Sequence, residues 1–92
     1  MTTLKMNVPE AQSTATAIGN CVSQVQSQLN TLRGRVNSMV GSEWQSNSAN
    51  QFQTEFQSWE QQLNTLLSQL GELQQRLTRE IAQWEEMARQ LG

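Results

Sequence analysis

Ninety-two residues make one domain at most, and 36% apolar content with a mean hydropathy of −0.61 leaves little from which to build an interior. A formal charge of −2 without a basic block argues against a nucleic-acid partner, and no run of about 18 apolar residues exists to form a transmembrane segment. The chain has no His and no Asp, and Cys21 is its lone cysteine, so triads, internal disulfides and most metal sites are excluded. Its Glu residues are scattered without a partner base, and the expectation is a protein that is not an enzyme and needs no cofactor.

The first ten residues, MTTLKMNVPE, lack an apolar stretch and a small-residue cleavage site, so no Sec-type leader is expected. Pro9 suits a first helical turn, where its missing N–H would lack a partner anyway. From Ala15 the apolar residues recur at Ile18, Val22, Val25, Leu29, Leu32, Val36 and Met39, alternating steps of three and four. That is the seam of a coiled-coil-like helix, predicted from about Pro9 to Val40. Cys21 borders the seam and reads as a half-buried small hydrophobe, with a cross-link between chains as the alternative. Gly41 is a natural left-handed stop.

The turn covers residues 41–47 and holds Trp44, Gln45 and Ser46. A second stripe follows at Ala49, Phe52, Phe56, Trp59, Leu63, Leu66, Leu70, Leu73 and Leu77, then Ile81, Trp84, Ala88 and Leu91. It predicts a helix over about 48–90. Ser48 and Gln51 have the form of a capping box, with Ser46 or Asn47 as alternative caps. Leu73, Leu77 and Ile81 lie two steps of four apart, a stutter that locally relaxes a left-handed supercoil. Glu72–Arg76, Arg76–Glu80 and Glu85–Arg89 are spaced as helix-supporting ion pairs.

A short turn makes the helices antiparallel, so residues 1–92 read as a single helical-hairpin domain. If Met39 lies level with Ala49, equal rise in both helices places Arg33 beside Glu55, Gly19 near Gly71, and Pro9 beside Arg79. Ile81, Trp84, Ala88 and Leu91 would then overhang helix 1. The combined stripe of Ile18, Val22, Val25, Leu29, Leu32, Val36, Phe52, Phe56, Trp59, Leu63, Leu66 and Leu70 is widened by flanking Ala17, Val40, Leu67 and Met87. So wide a face suits an all-α four-helix bundle, most simply a homodimer of two hairpins.

A tryptophan, one residue and a small residue between two helices, in a chain of this length, resembles the WXG family. These are small ESAT-like proteins exported by bacterial type VII secretion systems. Pro9-Glu10 at the start of helix 1, the Trp44 turn, and Ala49, Phe52, Phe56 and Trp59 carry the resemblance across nearly the whole chain. The motif here is Trp44-Gln45-Ser46, with Ser in place of the family's Gly. Ser is small and caps helices well. The resemblance implies a dimer with itself or a second WXG-type chain, recognition by a secretion-machinery ATPase, and secretion without a signal peptide. It also implies a C-terminal signal with Tyr followed four residues later by an acid. This chain has no Tyr; Trp84 stands near that place, with Glu85 and Glu86 next to it and Ala88 four residues on.

Ile81, Trp84, Glu85 and Ala88 are accordingly the candidate recognition tail, and Trp44 with its turn the candidate second half of that surface. Trp44 also suits a role capping the core beside Phe52, and the two roles are compatible. Two rival readings stay open from the residues alone. One is a cytosolic helical adaptor or holdase. The other is a membrane-active amphipathic protein, disfavoured because the polar faces are Gln-rich rather than Lys/Arg-rich.

Overall fold

The computed structural model describes residues 4–91; residues 1–3 and 92 of the domain lie outside them. Two helices, α1 (Val8–Ser38, 31 residues) and α2 (Asn47–Leu91, 45 residues), pack antiparallel around a bend at Met39–Glu43. The fold is an all-α helical hairpin. Asn7 starts α1: its side-chain oxygen accepts the Glu10 N–H at 3.1 Å, Pro9 falls in the first turn, and Glu10 adds a favourable acid there. At the other end Arg35 complements the carbonyl pole. Among the described residues no helix is long and apolar enough to cross a membrane.

The hairpin is a rod of 68 × 21 × 17 Å with a radius of gyration of 20.7 Å, against roughly 12 Å for a compact chain of this length. Such a shape has almost no inside. Among the described residues the buried ones are Ala15, Leu29, Val36, Ala49, Leu67 and Ile81, and no large side chain is fully enclosed. On α1 they follow one heptad column, with half-buried Val22 between Ala15 and Leu29. Half-buried Ile18, Val25, Phe56, Leu63 and Leu70 flank the contact.

Leu32, Phe52, Trp59 and Leu66, expected within the seam, are instead exposed: Trp59 by 47% and Leu66 by 59%, while neighbouring Leu67 is buried. A lone helix partner covers a narrow strip, and these four lie on the flank that the second helix cannot reach. Cys21 is likewise exposed rather than half-buried.

The register also differs from the equal-level expectation. Arg33 pairs with Glu60 (Nε–Oε2 2.5 Å), not with Glu55, and Asn37 accepts a hydrogen bond from Gln53 at 3.1 Å. Side chains lean toward their own helix's N-terminus. In an antiparallel pair those of α1 therefore reach toward the open end and those of α2 toward the turn. Contacting residues then lie farther along α2 than their Cα levels suggest. Gly19 accordingly meets Gln74 rather than Gly71. The three i,i+4 ion pairs do not form among the described residues; Arg89 pairs with Glu86, three residues back.

Candidate recognition surface

The turn is built by backbone hydrogen bonds around one left-handed residue. Val40 (φ −73°, ψ 118°) leaves helical geometry and Gly41 takes φ 106°, which a side chain would oppose. The Trp44 N–H then donates to the Met39 carbonyl at 2.9 Å, and the Gly41 N–H donates to the Trp44 carbonyl at 3.0 Å. Gln45 reaches back so that its amide donates to the Gly41 carbonyl. Ser46 is the cap of α2: its Oγ accepts the Ala49 N–H at 3.0 Å, and Ala49 beneath it is 0% exposed. Ser48 lies inside the first turn of α2, too far along to cap it.

Trp44 is extended (φ −142°, ψ 110°) and 37% exposed. Its ring tilts against Phe52 at a centroid distance of 5.9 Å, while Phe56 and Trp59 form a second pair at 5.6 Å. The bend thus carries a tryptophan that is half covered by its own hairpin and half open. Beside it runs an open apolar groove of about 640 Å³, lined by Leu32, Val36, Met39 and Phe52 with Arg35 and Glu43 at its rim. It places exposed residues of α1 and α2 on the same side of the rod.

That side continues along α2. Phe52, Trp59, Leu66 and Leu73 recur every seven residues and all are exposed; Met87 belongs to the same column after Glu80 interrupts it. The column carries larger side chains than most of the residues buried inside the hairpin. Its existence was readable in the seven-residue spacing, but a seam two positions wide does not reveal which edge of it faces outward.

The tail residues are less free than the predicted overhang required. Ile81 is 5% exposed and packs at the groove formed with Gln12, Ala15 and Thr16. Trp84 is half-buried, and Val8 lines a groove with Trp84, Glu85, Ala88 and Arg89. Helix α1 therefore supports α2 as far as Trp84. Glu85, Ala88 and Leu91 are exposed, Leu91 by 82%. Trp44 and Trp84 stand at opposite ends of one rod, so a single hairpin does not bring the turn and the tail together.

A search of curated proteins finds no match. Among solved structures, the chain is similar to the crystal structure of a point mutant of a secreted protein, EsxB, from Bacillus anthracis str. Sterne. The TM-score is 0.79 at 24% sequence identity, covering 94% of this chain and 98% of that one. The likeness extends over the whole hairpin and supports the two-helix fold. The model of the WXG100 family, proteins of 100 residues with WXG, matches residues 3–86, which span the Trp44 turn and most of both helices, and the chain belongs to that family.

Proposed function

We propose that the protein is a non-enzymatic substrate or co-secreted partner of a type VII secretion system, recognised as a folded dimer of hairpins. The observation that carries this reading is the exposed column Phe52, Trp59, Leu66 and Leu73, with Leu32 on the same side. A contiguous apolar face of this length is a liability on a monomer and marks an interaction surface. Laid against the same face of a second hairpin, it becomes the inner layer of a four-helix bundle. The partner is a second copy or another WXG-type chain.

Antiparallel docking brings each chain's turn to the open end of its mate. Trp44, half open beside Phe52, would then share a surface with the partner's tail, whose residues Trp84, Glu85 and Ala88 line one groove with Val8. The secretion ATPase would read that composite, which neither chain offers alone. The secreted status of the similar EsxB supports the same direction.

The test combines solution mass with secretion in a host carrying the cognate machinery. Leu66→Glu places a charge on the exposed column and should yield helical monomers that are no longer secreted. Leu63→Glu places it on the half-buried strip between the helices and should unfold the hairpin, because an unpaired charge there loses much of its solvation. A Leu66→Glu protein secreted normally defeats the reading, and a wild-type protein that is monomeric alone makes the partner another WXG-type chain.

A further inference from the structure

Leu67 and Ile81 are each 5% exposed, and midway between them stands Gln74, a polar residue in the heptad column that nearer the turn also carries Gln53 and Glu60 against α1. Its amide has a built place. Nε2 donates to the Ala15 carbonyl of α1 at 2.9 Å, partly buried. A Cβ at Gly19 would lie 2.5 Å from that same nitrogen, so the amide occupies the space a side chain at position 19 would fill. Gly19 is one turn beyond Ala15, and in an α-helix the residue four places on overlies the carbonyl and donates to it. Glycine there leaves the second lone pair of Ala15 open from the side. Neither Gly34 nor Gly71 has any atom within 4 Å of such a Cβ, which sets Gly19 apart.

We infer that Gln74 and Gly19 form a register latch, in which the Gln74 amide seated over Gly19 and bonded to the Ala15 carbonyl selects one alignment of the two helices. The latch sits inside the Leu73–Leu77–Ile81 stutter, where the apolar spacing of α2 does not itself define which face turns inward. A polar group at one seam position fixes register because any slip leaves it without its partner, at a cost in raw stability. Everything toward the open end depends on the choice: with the latch closed, Ile81 is buried and Trp84 lies beside Val8. Gln74 is therefore a positioning residue for the tail, independent of what the tail recognises.

Two variants of the full chain test this, and stability must be read separately from uniqueness. Gln74→Met keeps the volume and removes the donor. Its thermal midpoint should equal or exceed that of the wild type, while amide exchange over residues 78–88 accelerates about tenfold relative to residues 29–36, a local opening rather than a global one. Amide resonances of that segment should broaden or double. Gly19→Ala leaves Gln74 in place and adds only a methyl group, which displaces the flexible amide from Ala15. It should loosen the same segment, although alanine is the better helix former. In the Gln74→Met background the alanine should bring no further loosening. Single sharp resonances with wild-type exchange in either variant overturn the latch. So does a Gln74→Met protein that fails to fold while Gly19→Ala behaves as wild type, since Gln74 would then serve only as bulk.

Discussion

Trp44 contributes to the turn twice, and the two contributions separate on mutation. Its backbone closes the bend through Met39 and Gly41, which any residue able to take an extended conformation could do. Its ring, by contrast, covers Phe52 on one side and faces solvent on the other. Ser46, where the family motif has Gly, is explained by its hydroxyl on the Ala49 N–H. Ser46→Gly should change stability by only a few tenths of a kcal/mol and Ser46→Ala should lose about 1 kcal/mol, the usual order at an N-cap. Denaturant titration of the pair checks this, and a large loss in the glycine variant would show a further partner for the hydroxyl. Gly41→Ala should cost about 1–2 kcal/mol, because φ 106° brings Cβ against the backbone.

At the scale of the helices, α2 outlasts α1 by less than its length suggests. Ile81 is enclosed and Trp84 is half covered, so removing everything after Arg79 would uncover Ala15 and Val8. That truncation should lower the thermal midpoint, whereas removal of residues after Ala88 should leave it nearly unchanged. Trp84→Ala needs the same two readings, midpoint and secreted fraction. A tail used for recognition loses secretion far more than it loses stability; a proportional fall in both would make Trp84 a packing residue only. The difference from the sequence-based picture has a physical source. Spacing of three and four identified both helices, the Gly41 stop and the hairpin, because each depends on local periodicity or on one backbone angle. It did not identify the pairing of Arg33 with Glu60, since opposing side-chain lean shifts contacts by more than a turn. Nor did it place Trp59 and Leu66 outside: a stripe broad enough for two partners does not reveal which edge the first partner takes. Gln74 stands among many glutamines in the sequence, and its place over Gly19, bonded to the Ala15 carbonyl, is what distinguishes it.

For the molecule as a whole, stability and association should be the same problem. A rod 68 Å long and 17 Å thick, with few residues buried along its strip, removes little apolar surface from water for the chain entropy it gives up. On the proposed dimer, the exposed column on α2 would supply the missing area once a second hairpin lies on it. Anything that binds the folded state alone raises apparent stability by mass action, so a folded dimer melts at a temperature that depends on protein concentration. The thermal midpoint should accordingly rise over a hundredfold increase in concentration, and helical signal should fall on dilution together with the mass measured in solution. Leu66→Glu should remove that concentration dependence and leave a less stable hairpin. Arg33→Ala should keep the dependence intact and lower the midpoint slightly, because its ion pair with Glu60 lies within one chain and an arginine 43% exposed contributes about 0–1 kcal/mol. A midpoint independent of concentration, with a solution mass of 10.4 kDa, would mean that the hairpin stands alone and that its apolar column awaits a different chain.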